Sequence, residues 1–261
     1  SAGSISVSAL VLCPLARGLF KRAILESGAQ LFNRKDSHTK AKGLAEARRM
    51  ANRFQCTDDK TWLDCLRKVD AKEVHDYADI TVGAMIGTDY MPVVAQEAIK
   101  TGKFNTDVDV MAGVVRNEGS LLAPEIKGNI TKQKLIEAIK PSIGDTDANK
   151  VADFYLNGAA PDNYSANRWA YYDIYGDTGL KCNTYLFAKH VAQHQTGGAN
   201  VYFWEQTYQS GGNLQGCDEK TMGICHGSDL EFVFFRTGAN PKLDIPFSKE
   251  WITLWTNFAK T

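Results

Sequence analysis

Three residue types in this chain have the makings of acyl-transfer chemistry: a serine at position 1, glutamates after strand-like runs, and a small set of five histidines. Such chemistry needs a hydroxyl nucleophile, a base that takes its proton, and a carboxylate that holds the base in the right tautomer and stabilises its cation. The chain opens Ser1-Ala2-Gly3 and continues through small and apolar residues to Cys13-Pro14. S-x-G is half of G-x-S-x-G, the turn between strand and helix that presents a serine hydroxyl, with glycines where a Cβ would clash. Gly3, Ser4, Ser6, Ser8 and Ala9 suit a helix packed closely on a sheet, and Pro14 stops it. Taken alone, these three residues favour the plainer reading of Ser1 as a helix cap or frayed end.

The elements that would position an acid and a base alternate between strand and helix. Arg22 to Leu25, Val108 to Val115 and Asn200 to Glu205 read as strands, the second rich in β-branched residues and buried. Apolar stripes predict helices through Leu44–Phe54, Thr61–Val69, Ala95–Thr101, Lys132–Ile139, Asp147–Leu156 and Asn183–Gln195, with Gly158–Asn167 a loop. A Gly-rich loop around Gly211-Gly212 leads to His226. The alternation predicts an α/β fold, a mostly parallel sheet flanked by helices on both faces.

Composition narrows the partners. Thirty basic and thirty acidic residues cancel, so no long-range field points to nucleic acid or an anionic membrane. The apolar runs fall short of the roughly 18 residues a membrane span needs. Among the histidines, His38 and His75 lie in polar stretches, and His190 and His194 stand four apart on one helix. No H-E-x-x-H and no cysteine or carboxylate pattern completes a ligand set around that pair, so surface imidazoles are the better account and no metal is expected. Asn129-Ile130-Thr131 and Asn163-Tyr164-Ser165 are glycosylation sequons. Cys56 and Cys65 bracket a short polar loop whose closure would stabilise by roughly 2.5–3 kcal/mol. Cys217 and Cys225 would close another, with Cys182 a competing partner for either, and Cys13 reads as a buried thiol. This usage predicts an oxidising, secretory-pathway location.

Ser1-Ala2-Gly3 followed by an apolar helix, Pro14 and then Gly18-Leu19-Phe20-Lys21-Arg22-Ala23-Ile24-Leu25-Glu26-Ser27-Gly28 resembles the type-B carboxylesterase and cholinesterase family. Trp255 to Thr261 resembles that family's late W-x-x-F-A-K-T segment, and the resemblance covers essentially all 261 residues. It implies a single α/β-hydrolase domain over 1–261 that begins at the nucleophile elbow, truncated at both ends. It further implies a triad in the chain order Ser, Glu, His. Val114-Val115-Arg116-Asn117-Glu118-Gly119 resembles the family's D/N-E-G motif and makes Glu118 the acid. His226-Gly227-Ser228-Asp229-Leu230 resembles its H-G-x-E-L segment and makes His226 the base, with Asp229 in place of the usual glutamate and Phe235 where a glycine is common.

By the same resemblance, Ser27 supports the triad and Cys56 pairs with Cys65. The Ala2 N–H supplies one oxyanion donor, and the remaining donors lie in a missing amino-terminal part, so the isolated chain is expected to be inactive. No cofactor is required. Cholinesterases hold a quaternary ammonium with aromatic rings, two of which follow E-G-S. Leu121 and Leu122 occupy those positions here, and an aliphatic pocket suits general carboxylic esters. The rival readings are a choline-specific hydrolase and a non-catalytic, neuroligin-like adhesion module; such modules typically lose a triad member. Oligomeric state is left open.

Overall fold

The computed structural model describes residues 1–31, 39–77, 84–209, 216–236 and 243–261. His38 and the Gly211-Gly212 loop lie outside the described residues. Three parallel strands, β1 (Arg22–Glu26), β2 (Asp109–Val115) and β3 (Val201–Gln206), form a sheet in the order β1-β2-β3. Ile24 pairs with Met111, and Met111 with Tyr202. All three strands fall where the sequence places them, β2 on its β-branched run and β3 on its aromatic one. β2 is central and its last six residues are buried, as expected of a parallel strand covered on both faces.

Alternate residues of the strands feed two cores. Leu25, Val110 and Ala112 pack with Val11 and Leu12 of α1 (Ala2–Leu12) and with Phe187 and Val191 further along the chain. Ile24 and Met111 point the other way, onto Phe232, Trp251 and Trp255. Period-2 alternation thus places helices on both faces of the sheet.

Between β1 and β2 the described elements are α2 (Lys40–Arg53), α3 (Trp62–Leu66), α4 (Ala71–Asp76) and α5 (Ala95–Lys100). Between β2 and β3 run α6 (Glu118–Leu122), α7 (Lys132–Ile143), α8 (Ala148–Leu156), α9 (Tyr164–Gly176) and α10 (Cys182–Ala192). After β3 come α11 (Glu219–Met222), α12 (Ser228–Val233) and α13 (Ile245–Lys260). Helices α7, α8 and α9 enclose a separate core of Leu135, Ile139, Ala152, Tyr171 and Ile174.

The expected loop over 158–167 is overturned in its second half. Asn163 caps α9, its Oδ1 accepting from Ala166 N–H at 3.0 Å, and the helix runs on through a π-turn at Asp177–Lys181 into α10. Trp169, Tyr171, Tyr172 and Tyr175 are indifferent helix formers, so the pattern is weak in sequence. Burial of Ala170, Tyr171 and Ile174 against α7 and α8 supplies what propensity does not.

Cys56 and Cys65 are bridged, as expected, and so are Cys217 and Cys225, which resolves the pairing left open. Cys13 is a buried thiol and Cys182 an exposed one. Two disulfides fit an oxidising compartment such as the secretory pathway. Asn129 and Asn163 are exposed. Among the described residues, no helix is long and apolar enough to cross a membrane.

Candidate active site

The carboxyl ends of β1 and β2 converge on one buried carboxylate. β2 runs through Arg116 and Asn117 into Glu118, the first residue of α6, whose side chain is fully buried. Glu118 Oε1 accepts from the Ser27 hydroxyl at 2.5 Å and from the Val115 N–H at 2.9 Å. Its Oε2 meets His226 Nδ1 at 2.6 Å. With Nδ1–H donated to Glu118, the neutral imidazole is held in the tautomer that leaves Nε2 as the basic nitrogen. This is the acid–base geometry a serine nucleophile requires.

The local sequence explains why the carboxylate can sit there. Gly119 brings α6 against α9 so closely that a Cβ on it would lie 2.0 Å from Tyr172 O and 2.5 Å from Gly176 N. Glutamate followed by glycine is therefore a packing requirement as well as a motif. Ser27 stands just past β1, its N–H donated to Gly113 O at 2.9 Å. Its backbone is left-handed, with φ 57°, and turns the hydroxyl onto Glu118.

Two further carboxyls crowd the corner. Asp229, on the first turn of α12, is 2% exposed. Its pKa is pushed up to about 7, first by burial and then by the nearby Glu26 and Glu118, with His226 opposing weakly. Glu26 is also raised by burial, while the Trp255 indole N–H, 2.5 Å from its Oε1, pulls the other way. Phe235, where the family commonly has glycine, holds φ at 49°, a conformation that costs a bulky residue about 1–2 kcal/mol.

Ser1 approaches the same corner by its backbone. The Ser4 hydroxyl donates to Gly28 O at 2.5 Å, and a Cβ on Gly28 would meet Ser1 O at 3.0 Å and Ile5 Cγ1 at 2.9 Å. The start of α1 is thus seated on the residue that follows Ser27. Ser1 itself is exposed, its side chain makes no cap bond, and its hydroxyl is not in hydrogen-bonding contact with His226. Ala2, the expected oxyanion donor, is exposed beside it.

Leu121 helps line a cleft of about 620 Å³ with Ser120, Pro124, Arg168, Tyr172 and Met222, whereas Leu122 is 41% exposed. Of the other histidines, His75 is exposed beside Asp76, and His190 and His194 are half-buried, the latter edge-on to Phe104. Sequence reasoning passed over Asn117 and Trp255. The first lay within the quoted motif, and the second reaches Glu26 only through tertiary packing.

The parallel sheet flanked by helices, with a buried carboxylate–imidazole pair beyond its strand ends, places the chain among α/β proteins with a partial α/β-hydrolase core. The carboxylesterase family model matches residues 1–261, and the chain belongs to that family. It is 27% identical over 289 residues to an acetylcholinesterase of Bungarus fasciatus, covering 100% of this chain and 46% of that protein. It is 27% identical to a cholinesterase of Mus musculus, over 100% of this chain and 46% of the relative. A liver carboxylesterase of Sus scrofa is 26% identical over 100% of this chain and 50% of its own length. The chain spans about half the length of the curated relatives it matches.

Proposed function

We propose that these 261 residues carry the catalytic triad of a serine carboxylic ester hydrolase, with Ser1 as nucleophile, His226 as base and Glu118 as acid. The observation that carries this reading is the 2.6 Å contact between a fully buried Glu118 and His226 Nδ1, reinforced from Ser27. In the reaction, Ser1 Oγ attacks the ester carbonyl carbon as Nε2 of His226 takes its proton. The tetrahedral intermediate collapses to an acyl-enzyme, and the imidazolium returns the proton to the departing alkoxide. Water, deprotonated by the same nitrogen, then releases the acid and regenerates Ser1. The Ala2 N–H contributes one oxyanion donor, and we place the others outside these residues. Leu121 and Leu122, at the two positions after E-G-S, offer no cation–π face and so favour general carboxylic esters over a choline head group.

Labelling of the full protein that contains this chain with a fluorophosphonate probe tests the reading. Modification that maps to Ser1 and vanishes in Ser1→Ala is the expected result. No labelling of the folded, disulfide-intact protein would overturn it in favour of a non-catalytic adhesion role.

A further inference from the structure

The loop that delivers His226 is tied to the loop that delivers Glu118 by one residue that the triad does not include, through its backbone and its side chain. Asn117 donates its backbone N–H to Ile224 O at 3.1 Å, and its Oδ1 accepts from Ile224 N–H at 3.0 Å. The side-chain oxygen adds a second bond to a backbone pairing, in which 117 and 225 form an isolated parallel bridge. Glu118 is one residue beyond this clasp and His226 two. Asn117 is itself pinned, since its carbonyl accepts from both Ser120 N–H and the Ser120 hydroxyl at 3.1 and 2.8 Å.

The opposite loop is shaped to receive it. A Cβ on Gly223 would lie 2.3 Å from Asn117 Oδ1 and 2.8 Å from its Cγ, and Gly223 has φ 69°. Only glycine lets the amide approach so closely. The Cys217–Cys225 disulfide does not substitute for this tie, because both cysteines lie on the histidine's own side. It stiffens the loop without fixing its distance from β2.

We infer that Asn117 is a positioning residue that sets His226 against Glu118 by clasping Ile224. The role of His226 as base rests on the esterase reading above, whereas the clasp itself does not. Aspartate at 117 retains the acceptor oxygen and the shape, and alanine retains neither.

The test uses two signals of the full protein that contains this chain in ¹⁵N-edited NMR spectra: solvent exchange of the Ile224 amide, and the low-field Nδ1–H proton of His226. The expected result for Asn117→Ala is exchange at Ile224 faster by about tenfold or more, with loss of the low-field proton. Asn117→Asp is expected to keep both signals. A folded Asn117→Ala with both signals as in the parent overturns the inference, as does a folded Asn117→Asp that loses them. If alanine prevents folding, the parent and the aspartate variant decide, since an Ile224 amide that exchanges in the parent like an unprotected loop also overturns it. No readout depends on probe reactivity. A protein that labels nowhere yet shows the clasp therefore sinks the esterase reading alone, and one that labels at Ser1 while Asn117→Ala leaves His226 unmoved sinks the clasp alone.

Discussion

The acid–base corner and the serine corner of the same site are held by different means. Glu118 is fully buried and receives Ser27, Val115 and His226, so its position is fixed by side-chain bonds from three stretches of chain. Ser1 is exposed in this chain and makes no side-chain cap bond, while the start of α1 is seated on Gly28 through the Ser4 hydroxyl and through packing. The contrast teaches where precision is stored. A buried carboxylate in low dielectric must have its partners in place in the resting protein, because leaving it unpaired would cost several kcal/mol. An exposed hydroxyl is solvated by water and carries no such requirement.

The largest effect expected from this contrast is at Glu118. Replacing it with alanine strips partners from the Ser27 hydroxyl, the Val115 N–H and His226 at once. Urea unfolding followed by circular dichroism should show a loss of about 3–5 kcal/mol. A loss below 1 kcal/mol would mean that the corner is wetter than its burial indicates.

Asp229 sharpens the comparison through pH. Its folded pKa of about 7 lies above the ordinary 3.8, so its protonated form is favoured by folding. Its contribution to stability is fully present below about pH 4 and is lost as pH rises through about 7. The shift is worth on the order of 4 kcal/mol at the alkaline end. Asp229→Asn should therefore raise the urea midpoint at pH 8 and leave it nearly unchanged at pH 4. A pH-independent difference between the two proteins would count against the buried carboxyl cluster.

The smallest effect belongs to the serine. Ser1→Ala should change stability by less than about 0.5 kcal/mol, since the side chain is exposed and makes no cap bond. A cost comparable to that of Glu118→Ala would erase the distinction between the two corners.

Much of the fold was legible because periodicity is a local property. The strands were marked by their apolar runs, most clearly the β-branched β2 and the aromatic β3, and α7 and α8 by helical patterns. Helix α10 was marked by its stripe as well, but α9 was not, because its aromatics are indifferent helix formers that become helical only against the α7–α8 core. In the candidate site, Ser1, Glu118 and His226 were found as motifs. Motifs said nothing of Trp255 reaching Glu26 across 229 positions of sequence, or of Asn117 clasping Ile224 across 107.

By itself the sequence determined the three strands, most of the helices, and the chain order of serine, glutamate and histidine. Only the tertiary structure decided that Cys217 pairs with Cys225 while Cys182 stays free, that Asp229 sits beside two other carboxyls, and that His226 meets Glu118. The physical reason is that propensity and periodicity are written within a few neighbouring residues. Pairings and electrostatic environments depend on distances between segments far apart in the chain, and those distances exist only once the sheet and its helices have packed.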